Sequence, residues 1–346
     1  MARTAHLVGS IPLESTEAAM TAGLERLGPN LRWLPDGETG ERTNWILHIV
    51  ESFRAHPDLE IKREGDWSDY DKTPVFKVRD GHTLTGDSLD FGHVGDFQAN
   101  YPTFRKLREQ HGSDDIAYQL GLPGDFDMAL FTLGPLSAFR QKAPFTQATL
   151  RTIGTVHAEA GDDVVFQIEV PAELVFVAKM PAPLQPVMAG FLARGITQLA
   201  AQSPEGARFG VHLCLGDMNH RALGRMNDVS PLVHLSNAIA AKWPAGRPLE
   251  FIHAPFAAAI EPPVNQRSFY APLSKLRLPA AVEFIAGFAH EDQSFEAQRT
   301  LRDHLDQLVG REVGIATACG LGRRDAEAAL AAIDRTAELI HATALG

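Results

Sequence analysis

The sequence predicts an α/β protein of the (β/α)8 TIM-barrel class, built as one domain from residues 1–346. Three observations carry this prediction. Eight short, β-rich apolar runs end in Gly, Pro or polar clusters. Stretches of helical periodicity separate them. Reactive polar residues collect at the C-terminal ends of the runs, where barrels of this class build their sites.

The runs are "AHLVGS" (5–10), "LRWLPDGE" (31–38), "FDMALFTLG" (126–134) and "DDVVFQIEVP" (162–171), followed by "ARFGVHLCLG" (207–216), "PLEFIHAPF" (248–256), "AVEFIAGF" (281–288) and "REVGIATACG" (311–320). Several are apolar almost throughout, as strands covered on both faces are. Among the helical stretches, "AGFLARGITQLAAQ" (189–202) repeats apolar residues at spacings of three and four. "SFEAQRTLRDHLDQLVG" (294–310) ends in a glycine suited to a C-cap. "DAEAALAAIDRTAELIHATAL" (325–345) opens on acidic residues that favour a helix N-terminus. Residues 60–118 are polar, and "TPVFKVRDGHTLTG" (73–86) reads as a hairpin turning at Asp80-Gly81. This stretch is expected to be an insertion after the second strand, covering the barrel mouth.

A formal net charge of −11 argues against nucleic acid or an anionic membrane as partner. No basic patch with interleaved aromatics appears. "DGETGER" (36–42) lacks the spacing of a phosphate-binding loop, and its acids would repel phosphate. Two cysteines cannot form a disulfide framework in a chain of 346 residues, so a reducing, cytoplasmic setting is expected. "MARTAHLVGSIPLEST" does not read as a signal peptide, and no run approaches a transmembrane length.

Taken in strand order, the C-terminal ends present Ser10, Asp36 and Glu38, Glu169, His212 with Cys214, His253, His290 and Cys319. Alternate residues of a strand share a face, so His212 and Cys214 point the same way. With His253 and Cys319 they offer two imidazoles and two thiolates, a normal tetrahedral zinc shell. Glu250 competes with His253 for the sixth-strand place, but His253 lies nearer the strand end. Ordinary readings stand beside these. A cysteine in an apolar strand is commonly core, and a strand-end histidine is commonly a satisfied polar residue. Asp217 either orients a zinc-bound histidine or starts the next helix. Glu38 and Glu41 either serve the site or cap the helix beginning near Arg42.

Six motifs, in order, resemble the catalytic C-terminal barrel of cobalamin-independent methionine synthase (MetE) in its short single-barrel form. "HLVGSIPLEST" is similar to the family's I-G-S-F-P, "PDGETGERTNWI" to H-G-E-x-E-R-N-D-M and "TLGPLSAF" to T-G-P-V-T. "FQIEVPAEL" resembles Q-I-D-E-P-A-L, "VHLCLGD" the zinc-binding H-x-C and "ACGLGRR" the zinc-binding D-C-G-L-K-T-R. The resemblance implies a barrel of the UROD/MetE-like type and a transferase that activates a homocysteine-like thiol as a zinc thiolate. That thiolate would attack a methyl donor, either methyl-tetrahydrofolate or a methylcorrinoid carried by a corrinoid protein. It implies His212, Cys214 and Cys319 as Zn2+ ligands, Ser10, Glu38 and Glu169 on the amino-acid part of the thiol, and as catalytic residues Glu169 and His290, the latter the counterpart of the family's proton donor. Three departures are visible. His253 stands where the family has a zinc-binding Glu. Glu169 replaces its substrate-binding Asp and is followed by Val170 rather than a second acid. His290 lies about two positions out of register. A divergent paralogue is therefore expected. The alternatives are zinc-dependent alkyl transfer, addition or demethylation on another thiol, and a metal-free barrel that binds a small molecule.

Overall fold

A computed structural model describes residues 3–343. Helix α1 (Thr16–Leu27) precedes strand β1 (Trp33–Pro35). Then α2 (Trp45–Ser52), β2 (Leu59–Arg63), β3 (Val75–Val78) and α3 (His93–Gln110) lead to β4 (Ala117–Pro123). Helices α4 (Asp125–Leu133), α5 (Pro135–Gln141) and α6 (Ala143–Ala160) connect to β5 (Val164–Glu169), and α7 (Pro171–Lys179) with α8 (Gln185–Gln202) to β6 (Arg208–His212). The chain continues through α9 (Ser230–Lys242), β7 (Leu249–Pro255), β8 (Glu283–Ala289), α10 (Phe295–Val309), β9 (Gly314–Thr317) and α11 (Ala326–His341).

Strands β1-β4-β5-β6-β7-β8-β9 form a curled, wholly parallel sheet. Its two edges meet on the N-terminal segment, where Ala5 bridges both Leu31 and Ile315 in parallel. The backbone N–H of Ala5 donates to Asn30 O (2.8 Å) and that of His6 to Ile315 O (2.9 Å). "AHLVGS" therefore takes the eighth place of the barrel, but pairs too briefly to form a regular strand. Buried glutamines supply what the ladder lacks. Gln119 Nε2 donates to the carbonyls of Leu7 and Val8 at 2.9 Å each, and Gln167 Nε2 to Val8 O at 2.7 Å. Below this polar tier Trp33, Val165, Phe251 and Ile285 fill the interior as an apolar cluster.

Two sequence expectations are corrected here. Residues 126–134 are not a strand: Asp125–Leu133 is helix α4, with Asp125 and Asp127 in its first turn and Gly134 (φ +77°) ending it. Phe126, Ala129 and Leu133 face the core at helical spacing. The strand lies earlier, at Ala117–Pro123, where the inward Gln119 gives a loop-like appearance to a segment that is buried at nearly every position. The hairpin also differs. Strand β3 pairs antiparallel with β2, across residues 64–74. Asp80-Gly81 makes a turn directly after β3, closed by His82 N–H on Arg79 O, and no strand follows it to complete a hairpin. Helix α3 and the start of β4 take the second half of the stretch 60–118. The helical expectations at 189–202, 294–310 and 325–345 fall within α8, α10 and α11, and Gly310 caps α10 with φ +77°. The last residues of the third stretch lie outside the described residues.

Candidate metal and substrate site

Parallel register sets the centre of the site. Glu169 pairs with His212, and His212 with His253, so β5, β6 and β7 present them side by side at their C-terminal ends. Two residues further on, Cys214 comes within 3.6 Å (Sγ–Sγ) of Cys319, which follows β9. One nitrogen of His212 and the two sulfurs lie within 4.8 Å of one another.

The histidine pair has a definite proton arrangement. His253 Nε2 lies 2.9 Å from Thr317 O, and a carbonyl only accepts, so Nε2 carries the proton and donates. His253 Nδ1 is then a bare acceptor. It lies 2.7 Å from His212 Nδ1, which must donate to it. The second nitrogen of His212, Nε2, keeps its lone pair and is buried without a partner. Burial holds both rings neutral: it lowers His212 well below the ordinary imidazole value, and brings His253 down to about 4. His253 therefore orients His212 and is not itself one of the converging atoms.

The cysteines form a coupled pair. The contact with Cys319, then burial, raises the Cys214 thiol well above its ordinary value, while the same contact lowers Cys319. These donors fit zinc. A tetrahedral shell with Zn–S of about 2.3 Å places two sulfurs about 3.8 Å apart, close to the separation here. The lone pair of His212 Nε2 supplies a nitrogen ligand of the preferred kind.

Around this centre runs a narrow cleft of about 60 Å3, walled by Ser10, Glu38, Glu169, Cys214, Asp217, Cys319 and Arg323, with Trp45, Tyr70, Phe131 and Leu223 closing its apolar side. Ser10 Oγ accepts from Gly322 N–H and Arg323 Nη1, both at 3.2 Å. The glycines of "ACGLG" permit this, since a Cβ on Gly320 would lie 2.4 Å from Ser10 Oγ. Glu38 sits in a strained backbone position (φ +42°), held by its N–H on Asp36 Oδ1 at 2.8 Å. The carboxyls of Glu38 and Glu169 crowd the space over Gly121, where a Cβ would lie 3.0 Å from one and 3.2 Å from the other. Burial, then the charge of Glu169, pushes Glu38 well up. Burial, then Cys319, pushes Glu169 up to about 8. Asp217 is buried, and neither of its carboxylate oxygens has a partner.

The structure brings Ser10, Glu38, Glu169, Cys214 and Cys319 to the cleft, with His212 beneath it. Two residues lie elsewhere. Glu250, near the N-terminal end of β7, accepts from Trp33 Nε1 at 2.6 Å and is paired with Arg208. His290 is buried beyond β8. Its Nδ1 accepts from Asp292 N–H (3.1 Å) and its Nε2 donates to Ala259 O (3.1 Å), so both nitrogens are spent on backbone. Sequence reasoning missed Tyr70 and Arg323. Tyr70 follows β2, and its Oη accepts from Met218 N–H at 2.8 Å; no motif marks it. Arg323 stands in the "ACGLGRR" motif beside Cys319, and that adjacency was the available signal. A second cavity of about 340 Å3, with Arg63 and Lys179 among its walls, shares Tyr70, Phe131 and Leu223 with the cleft.

No family model matches the chain, and no curated protein matches it. Solved structures do. A B12-independent methionine synthase from Shewanella sp. W3-18-1, in complex with selenomethionine, superposes with a TM-score of 0.59 at 15% identity over 98% of each chain. A methyltransferase from Methanosarcina mazei superposes with a TM-score of 0.55 at 13% identity, over 99% of this chain and 94% of that one. At these identities the likeness establishes the architecture: this chain has the α/β barrel fold of those proteins from end to end.

Proposed function

We propose that the chain is a zinc-dependent methyltransferase that methylates a small thiol. The observation that carries this reading is the convergence of one nitrogen of His212 with Cys214 Sγ and Cys319 Sγ at the C-terminal mouth of the barrel, Nε2 being the ring nitrogen left without a partner. The fold shared with a methionine synthase and a methyltransferase supports it. His212, Cys214 and Cys319 would hold the ion. Zinc bound there would supply the positive charge that lowers a thiol's pKa, making it nucleophilic near neutral pH.

The chain's own residues do the rest. His253 fixes the tautomer of His212 and so keeps Nε2 available. Ser10 and Arg323 form one polar wall of the acceptor cleft, and the Glu38–Glu169 pair another. Trp45, Phe131 and Leu223 exclude water beside the reacting sulfur. The larger cavity across Tyr70, Phe131 and Leu223 is the place for a methyl donor, with Arg63 and Lys179 available to an anionic group. On this reading the segment carrying Tyr70 forms part of the mouth. The donor is methyl-tetrahydrofolate or a methylcorrinoid. Two cysteines left unpaired support a reducing compartment, and among the described residues no helix is long and apolar enough to cross a membrane.

A second reading keeps the metal and changes the chemistry to alkyl transfer, addition or demethylation on another thiol. His253 in place of a ligating carboxylate, and Glu169 without an acidic neighbour, favour it. Zinc-loaded protein incubated with homocysteine and each donor separates the two. Methionine formed in proportion to bound zinc supports the first. Full zinc occupancy with no methionine from either donor favours the second.

A further inference from the structure

Asp217 is the anomaly of the cleft. Its side chain is 4% exposed and both carboxylate oxygens lack any hydrogen-bond partner. A buried carboxylate left this way is costly, and two arginines stand near enough to relieve it. Neither does. Arg323 turns its Nε to the Asp217 backbone carbonyl (3.0 Å) and its Nη1 to Ser10 Oγ. Arg324 is committed to Glu291 through two bonds, at 2.6 and 3.0 Å. Local packing keeps Asp217 where it is. Gly216 has φ +83° and donates its N–H to Cys214 Sγ at 3.2 Å, while a Cβ there would lie 2.6 Å from Tyr70 Oη. On the other side Met218 N–H is held by the same Tyr70.

We propose that Asp217 receives the ammonium group of an amino thiol whose sulfur binds at His212, Cys214 and Cys319. This rests on the function proposed above and names the group that selects its acceptor. An ammonium supplies the N–H donors the carboxylate lacks, and adds its charge to that of Arg323 and Arg324, which act on Asp217 without bonding to it. A hydroxyl would bring a donor but no charge. The other acids of the cleft are poorer acceptors. Glu38 and Glu169 crowd one another over Gly121, and Glu169 already takes the amide of Gln167 at 3.2 Å. Two buried carboxyls so placed tend to share a proton rather than carry two charges. Asp217 is also not a fourth ligand, because it falls outside the converging set.

The test uses the full chain loaded with Co2+ and titrated with 2-aminoethanethiol, homocysteine and 2-mercaptoethanol, following the cobalt–thiolate charge-transfer band. Wild type is expected to bind both amino thiols at least tenfold more tightly than 2-mercaptoethanol. In Asp217→Asn the preference should fall to about twofold or less. Cobalt content should be unchanged, and the melting temperature equal or higher, because a buried charge without hydrogen-bond partners has been removed. A retained preference overturns the assignment. So does loss of cobalt from Asp217→Asn, which would make it a ligand, or a lowered melting temperature, which would make it structural. The same loss of preference in Glu169→Gln, with Asp217→Asn unaffected, would move the ammonium to the other acids. If wild type takes up no cobalt, or shows no thiol band with any of the three, the metal reading fails along with this one. That result differs from every variant-specific outcome.

Discussion

A single proton decides what His212 can do. Thr317 O forces the proton of His253 onto Nε2, His253 Nδ1 then forces that of His212 onto Nδ1, and the lone pair at His212 Nε2 is left without a partner. His253→Ala removes this constraint without removing a converging atom. Metal affinity is expected to fall about 10- to 100-fold, the usual effect of losing a partner to a ligating histidine. Competition against a chelator measures it, and unchanged affinity would show that His212 needs no orientation. The sequence placed His253 at the site, but could not say which of its neighbours it would bond. Glu169 offers a separate check at this scale. Its folded pKa, about 8, exceeds that of an ordinary glutamate, so the folded protein holds a proton that the unfolded chain has lost. The stability this gives is complete below the ordinary value and drains away as pH rises towards 8. Metal-free protein should therefore lose stability between about pH 5 and pH 8, and Glu169→Gln should flatten that slope in urea unfolding.

At the scale of elements, legibility tracked polarity. Strands β5 to β9 were readable because they are apolar and end abruptly, and α8, α10 and α11 because they repeat at three and four. Strand β4 was hidden by its inward Gln119, and α4 passed for a strand because its apolar residues lie close together in sequence. The first barrel segment was found, but not the reason it stays without a ladder: Gln119 and Gln167 hold its carbonyls in place of a neighbouring strand. Gln119→Leu should leave the carbonyls of Leu7 and Val8 buried without that donor, at a cost of about 1–3 kcal/mol. Denaturant unfolding measures this, and a neutral result would mean the seam is held by Gln167 and the backbone bonds of Ala5 and His6 without Gln119. The hairpin was misplaced for a related reason. A turn at Asp80-Gly81 exists, but β3 finds its partner upstream in β2, and pairing over that distance leaves no local signal.

For the whole molecule, closing the barrel is what makes a site. Ser10 meets Gly322 and Arg323 across 312 and 313 positions, and Cys214 meets Cys319 across 105. Residue types at strand ends were enough to gather most of this group from sequence, because a barrel converts strand order into position around one mouth. They were not enough to exclude His290, whose place depends on the turn after β8, nor to find Tyr70, which arrives from outside the barrel strands. The proposed function requires that His212, Cys214 and Cys319 hold one zinc ion. Its most direct test is zinc per chain by elemental analysis, on wild type and on Cys319→Ser. Close to one zinc is expected in wild type and little in the variant. Wild-type protein that carries no zinc and takes up none on titration would contradict it, and the two cysteines would then be packing alone.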